Sequence, residues 1–179
     1  MYNLKAPFLY AGAVLVWLVG VSAPAHAAIT AKDLQVAGRV IGFVNPTPSG
    51  TLKLGIVYDP ANATSMADKQ ALMTILGNGL AVAGITLVPD PVSIAALSGT
   101  DANILFLTNG LGAEAADVGK IAAAKKLLCI TTDLSDTQDG SCAVAVQSSP
   151  NVQITVNKAT LAASGISFTS AFMLMVTEI

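Results

Sequence analysis

Few side chains in this 179-residue chain could do chemistry, and three groupings stand out. Gly110-Leu111-Gly112-Ala113-Glu114-Ala115 fits G-x-G-x-x-A, with Asp133 about 20 residues further on, the spacing of a dinucleotide-binding loop. That loop normally occupies the first strand-to-helix unit of its sheet, so glycines that turn a strand tightly into a helix are the stronger account. Asp133, Asp136 and Asp139, followed by Gly140, form an acidic loop. A calcium loop needs ligands two residues apart and a distal Glu; these carboxylates are three apart and no such Glu follows, which points to a solvated turn. Cys129 and Cys142 are the only two cysteines.

Catalysis by imidazole depends on the one histidine, His26, and the sequence predicts its loss. Lys5 supplies a basic start, Ala6 to Val21 an apolar run, and Ala25-His26-Ala27 the small-x-small pattern cut by signal peptidase. A transmembrane anchor is the competing reading of the apolar run. Gly12, Gly20 and Pro24 interrupt it, and no basic stop-transfer cluster follows. Residues 1–27 are therefore expected to be a cleaved signal peptide, the mature chain beginning at Ala28 and lying in the periplasm. Without His there is no Ser-His or Cys-His pair and no imidazole ligand for zinc. Ser65, Ser164 and Ser167 fall at cap or turn positions, and Glu114 and Glu178 are the only glutamates. The expectation is a non-enzyme without cofactor or metal.

Of nine basic residues only Lys5 falls in the leader, leaving eight against eleven acidic residues and a formal charge of −3. That balance does not suit a phosphate backbone, so nucleic acid is not an expected partner. Residues 28–179 suffice for one domain with one continuous core. Export also changes the reading of Cys129 and Cys142, because thiols outside the cytoplasm tend to pair. A bridge between them would close a loop of about 14 residues, worth on the order of 3 kcal/mol. A redox switch and an intermolecular link are the alternatives to a structural staple.

The elements that must position these groups alternate. Thr30 can cap a helix with the apolar face Leu34, Ala37, Val40, Ile41 and Val44, stopped by Asn45-Pro46-Thr47-Pro48. Leu52 to Tyr58 predicts a buried strand. Ser65 with Asp68 resembles a capping box, opening a helix through Leu80. Ile85 to Val88 and Val92 to Ala95 predict short strands divided by Pro89-Asp90-Pro91. Asn103 to Thr108 and Leu127 to Thr131 predict buried strands around a helix over Ala113 to Lys125. A polar loop follows Asp133. Cys142 to Gln147 and Val152 to Val156 then predict an antiparallel hairpin at a sheet edge, Asn157 caps a short helix ended by Gly165, and Phe168 to Val176 predicts a last helix. The class is α/β: one three-layer domain, a mainly parallel sheet with helices on both faces and an antiparallel C-terminal hairpin.

The C-terminal third, Ser141 to Val176, resembles the end of YfiR-family periplasmic proteins. The shared features are the strand Val152 to Val156, Asn157, the Ala-rich stretch Ala159 to Ala163, and the step Ser164-Gly165-Ile166-Ser167. Upstream, NILFLT and LLCITTD occupy the places of that family's two buried strands. The family's Trp-Pro after the first helix and its Cys before the ILFLT-like strand are missing here, so a second cysteine bridge cannot form. The resemblance implies a non-catalytic regulator or sensor that forms a homodimer and restrains an inner-membrane signalling protein, such as a diguanylate cyclase of cyclic-di-GMP signalling or a sensor kinase. Asn157, Ser164, Gly165 and Ser167 would be its interaction or turn motif.

A second likeness competes. LKLGIVYDPANATS, a helix, and then AGITLVPDPVSIAAL look like the opening of one lobe of transporter-associated periplasmic binding proteins. In that reading Tyr58, Asn62, Ser65 and Thr108 line a small-molecule cleft at strand carboxyl ends.

Overall fold

The computed structural model describes residues 28–179, and the leader expected over residues 1–27 lies outside them. Thr30 and Asp33 form a reciprocal capping box at the start of α1, Ala31–Ile41. The spacing of three and four residues puts Leu34, Ala37, Val40 and Ile41 in the core. Two residues of β1, Val44–Asn45, follow, and then β2, Gly50–Tyr58, the long central strand.

Next come α2 (Ala63–Leu76), β3 (Leu80–Val82) and β4 (Ile85–Ser93). The N-cap of α2 is Asn62 and not Ser65, because the Asn62 Oδ1 accepts from the Ser65 amide at 3.1 Å. β4 is one strand and not two, and it pairs with β2 along its whole length, through Pro89 and Pro91. The two prolines are two apart, so their nitrogens face the same edge. β3 covers that edge only from Ile85 to Leu87, which leaves no pairing for the prolines to disrupt.

A 3₁₀ helix, Ile94–Gly99, leads to β5 (Ile104–Leu107), and a 3₁₀ turn, Gly112–Glu114, to α3 (Ala115–Lys125) and β6 (Leu128–Thr131). The segment expected to be a polar loop contains a short helix, α4 (Leu134–Gln138). Its cap is Asp133, which accepts from the Ser135 amide, and it buries Thr137. β7 (Val144–Gln147) and β8 (Gln153–Val156) form the expected antiparallel hairpin, with Val144 opposite Val156.

The end of the chain departs from the expected single helix. After α5 (Lys158–Ala163) come β9 (Ser167–Phe168), α6 (Ser170–Met173) and β10 (Thr177–Glu178). Tertiary contacts override the apolar run. β9 pairs with β1, the Thr169 amide bonds the Phe43 carbonyl oxygen at 2.9 Å, and Phe172 stacks on Phe43 with ring centroids 4.9 Å apart. β10 lies parallel beside β8, so the hairpin is not the sheet's last edge.

The eight-stranded sheet runs β10-β8-β7-β6-β5-β2-β4-β3. β4, β2, β5, β6 and β7 are mutually parallel neighbours. From β2 the chain moves one way to β4 through α2. From β5 it moves the other way to β6 through α3. Right-handed crossovers therefore place α2 and α3 on opposite faces. Alternation along the strands matches: Ile56, Phe106 and Ile130 pack with α1 and α2, whereas Val57, Leu105, Leu107 and Cys129 pack with α3 and the first 3₁₀ helix. The architecture is an α/β domain with a mainly parallel sheet covered on both faces. Among the described residues no helix is long and apolar enough to cross a membrane.

Candidate functional site

Parallel pairing brings the carboxyl ends of β2, β5, β6 and β7 to one end of the sheet, and the strand order reverses between β2 and β5. A crevice outside such a reversal is where open α/β sheets hold ligands. Asn62, Ser65 and Thr108 meet there, but they use one another up. The Ser65 and Thr108 hydroxyls are 2.6 Å apart, Thr108 donates to the Val57 carbonyl oxygen at 2.8 Å, and the Asp59 amide donates to Ser65 Oγ at 2.8 Å. Both hydroxyl residues are fully buried. Gly110, at φ +84°, closes the crevice: a Cβ on it would stand 2.7 Å from Asn62 Oδ1. Tyr58 goes elsewhere, to a hollow of about 360 Å³ beside Asp90, Ser93 and Asp101, with the Lys69 ammonium 4.4 Å from its ring centre. Three of the four residues of the supposed cleft thus bond within one cluster, the Ser65 and Thr108 hydroxyls to each other and Asn62 to the Ser65 amide, and the fourth faces a different hollow.

Open space lies one strand further along. A cavity of about 270 Å³ sits at the carboxyl ends of β5, β6 and β7, beside the first turn of α1. Its wall includes Ala28, Asp33, Asn109, Thr132, Asp133 and Ser148. Each polar group is held by neighbours. Asp33 Oδ2 accepts from the Thr30 amide at 2.8 Å and the Thr30 hydroxyl at 2.6 Å, and its Oδ1 from the Ser148 amide at 3.1 Å. Burial pushes the Asp33 carboxyl up, but the hydrogen bonds from Ser148 and Thr30 outweigh it and hold the pKa below the ordinary carboxylate value. Behind the wall residue Asn109, Asp68 Oδ2 accepts from both its amide and its Nδ2, at 2.9 and 2.7 Å. Thr132 Oγ1 approaches Asn109 Oδ1 at 3.5 Å.

Two carboxylates, Asp33 and Asp133, line the cavity, and among the described residues no Lys or Arg does. Lys32 turns its ammonium to the Ser148 carbonyl oxygen, 2.5 Å away. Asp133 Oδ1 also accepts from the Ser135 amide and hydroxyl, at 2.9 and 2.7 Å, while Asp136 takes the Thr131 hydroxyl and Asp139 the Ser141 amide. The three carboxylates thus each serve a turn, and Asp133 alone of them reaches the cavity wall.

Cys129 and Cys142 are joined by a disulfide, with Cα atoms 5.0 Å apart. The bridge ties β6 to the segment two residues before β7 on the face opposite α1, and both cysteines are buried. Asn157 caps α5 through Thr160 and also donates from Nδ2 to the Thr137 carbonyl oxygen at 2.8 Å. Ser164 is buried and donates to the Thr160 carbonyl oxygen, Gly165 takes φ +64°, and Ser167 donates to the Asn45 carbonyl oxygen. Asn157 thus starts α5, and Ser164, Gly165 and Ser167 turn the chain from α5 into β9. The glycines of G-x-G-x-x-A do likewise for the turn out of β5, with φ +84° at Gly110 and +55° at Gly112.

Sequence reasoning missed Asp33, Asn109, Thr132 and Ser148 as wall residues. A signal was present: each of three buried strands ends in polar residues, as ILFL-Thr-Asn, LCIT-Thr-Asp and VAVQ-Ser-Ser.

No family model matches this chain, and no curated protein matches it. Solved structures do. A substrate binding protein with adhesive properties from Clostridium difficile, in its ligand-free open form, matches with TM-score 0.59 and 16% identity over 83% of this chain and 58% of that one. A conserved domain protein from Vibrio cholerae matches with TM-score 0.56 and 13% identity over 83% and 59% of the respective chains. An ABC domain from Streptococcus pneumoniae, in complex with L-Trp, matches with TM-score 0.55 and 12% identity over 82% and 60%. At such identities the likeness is one of fold, and the chain spans about three fifths of the length of each. The fold resembles a lobe of a periplasmic binding protein.

Proposed function

We propose that this protein is an exported, non-catalytic binding protein that takes a small polar solute into the cavity at the carboxyl ends of β5, β6 and β7. The observation that carries the reading is the cavity's place: a hollow of about 270 Å³ at the strand ends where α/β sheets hold ligands, on a fold shared with a substrate binding protein. Its volume is at the low end of the range of about 300–1,000 Å³ for ligand sites, so the solute is small. Its walls are fixed hydrogen-bonding groups, as binding with little reorganisation requires.

The test is calorimetry and thermal melting of the purified protein against L-amino acids, monosaccharides and short polyamines. One class should raise the melting temperature, and a solute at a hundred times its Kd adds about 2.7 kcal/mol of stability. Thr132→Val should weaken binding about tenfold, the order expected for one lost polar contact, with the melting curve of the free protein little changed. Failure of every class to bind would sink the proposal.

A second reading keeps the docking regulator implied by the YfiR resemblance. It draws on apolar side chains near β10: Leu174 is 89% and Met175 67% exposed. It predicts a homodimer, or a complex with an inner-membrane signalling protein, that Leu174→Ser/Met175→Ser disrupts. Light scattering that finds a monomer, with no membrane partner co-purifying from the native host, would remove it.

A further inference from the structure

A further hollow opens at the other end of the sheet from the solute cavity. It holds about 230 Å³ and lies where β2, β5 and β6 begin. Its deepest residues are Ile41 at the end of α1, Ile104 on β5 and Leu128 on β6, at 0%, 5% and 3% exposure. Val44, Pro48, Leu52 and Ile166 are half-buried and make its rim. Val44, Leu52 and Ile166 pack on the same core cluster as the three deep residues, and the pairing of β1 with β9 holds the Val44 side in place. No charged residue lines the hollow among the described residues, and Asn103 is its one polar wall residue. Lys53 takes up Asn103: the Oδ1 accepts from the Lys53 amide at 2.8 Å, and the Asn103 amide donates to the Lys53 carbonyl oxygen at 3.0 Å. The Lys53 ammonium is itself held by Asp101, 2.5 Å away.

We propose that this hollow is a second binding site, for a small uncharged apolar molecule of the size of one aromatic ring with a short alkyl group. Its wall chemistry selects the guest. Water held in a cavity needs roughly two to four polar partners, and seven of the eight wall residues here have no polar side chain. A cavity of about 150 Å³ lined by Leu, Ile and Phe stays dry and admits benzene. This one is larger, and it opens to solvent, so a guest can enter without unfolding. An apolar guest restores the dispersion contacts that the lining forfeits while the space is unfilled. A charged or zwitterionic solute would lose its hydration there without gaining a partner. The two sites lie at opposite ends of β5: its first residue, Ile104, lines the apolar hollow, and Asn109, just past its carboxyl end, lines the solute cavity. Neither site needs the other, so this proposal stands or falls apart from the reading of the solute cavity.

The experiment titrates the purified protein, labelled at its Ile, Leu and Val methyl groups, with toluene and follows the methyl resonances by NMR. Glycerol, small and polar, is the control. Toluene should shift the methyls of Ile41, Val44, Leu52, Ile104, Leu128 and Ile166 saturably, and leave those of Leu134 and Val146, at the solute cavity, in place. Glycerol should move none of the six. Val44→Phe and Ile166→Phe, made separately, each put a ring where the guest would sit. In whichever variant folds, toluene should bind about tenfold more weakly or worse, because the guest no longer has room for its contacts. No shift up to the solubility limit of toluene would overturn the proposal, and so would shifts centred on other methyls. Undiminished toluene affinity in a folded Phe variant would overturn it as well. The methyl map of the parent decides the matter even if neither variant folds.

Discussion

Asp68 and Asn109 stand 41 residues apart and meet through a single carboxylate oxygen, which accepts from both the backbone amide and the side-chain amide of Asn109. Both residues are buried. The contact joins the middle of α2 to the loop leaving β5, so the cavity wall is braced by a helix that does not line it. Hydrogen bonds to a charged acceptor are worth about 1.5–3 kcal/mol, and orphaned buried donors add to the loss. Asp68→Ala should therefore lower the free energy of unfolding by about 2–4 kcal/mol in urea titration. Asp68→Asn, which keeps an acceptor oxygen but not the charge, should lose less. Equal stability of Asp68→Ala and parent would remove the brace.

Much of the fold was legible because the buried strands are nearly unbroken apolar runs and the main caps are local. Thr30 and Asp33 are three residues apart, as are Asn157 and Thr160, so their bonds can be anticipated from spacing. The unread parts depend on partners far along the chain. Phe168 to Val176 has the composition of a helix, yet β9 is set by Val44 and Asn45 on β1. Pro89 and Pro91 look like strand breakers until β3 is seen to stop short of them. The site was half legible for the same reason. Asn62, Ser65 and Thr108 do lie together, but whether hydroxyls face solvent or each other is decided by packing. Only Thr30 reads as a cap there, and nothing local singles out Asp33 or shows that Ser148, 115 positions away, completes its shell.

The Cys129–Cys142 bridge closes a short loop deep in the second core cluster. By the chain-entropy estimate its removal should cost on the order of 3 kcal/mol. A Cys129→Ser/Cys142→Ser variant should melt lower by that amount in denaturant titration, with a hydroxyl penalty added because both positions are buried. Reductant should act slowly on the folded parent, since neither sulfur residue is exposed, and fast once denaturant is present. Melting of the double variant at the parent's midpoint would refute the staple.

Asp33 makes stability depend on pH in a definite direction. Its folded pKa is below the unfolded value of 3.8, so the folded state favours the carboxylate. The stabilisation is fully present above pH 3.8 and is lost as pH falls through the lowered folded value. Asp33→Asn removes the charge at every pH. It should be less stable than the parent at pH 7, and the gap should close as the parent is acidified below 3.8. Paired urea titrations from pH 7 downwards measure this, and a gap that stays constant would show that Asp33 acts without its charge.

Gly119 lies in α3, where Ala would ordinarily gain about 1 kcal/mol in helix propensity. Here a Cβ would stand 2.9 Å from the Ser141 carbonyl oxygen and 3.1 Å from that of Gly140. Both obstacles are backbone, and the loop that carries them runs straight into Cys142, fixed by the disulfide. Neither α3 nor the loop can yield without moving a buried contact, and overpacking of this kind costs about 1–3 kcal/mol. Gly119→Ala should therefore destabilise the protein despite its better helix former. The cost should shrink in the Cys129→Ser/Cys142→Ser background, where the loop is released. A double-mutant cycle measures that difference, and strict additivity would show that the disulfide does not hold the loop against α3.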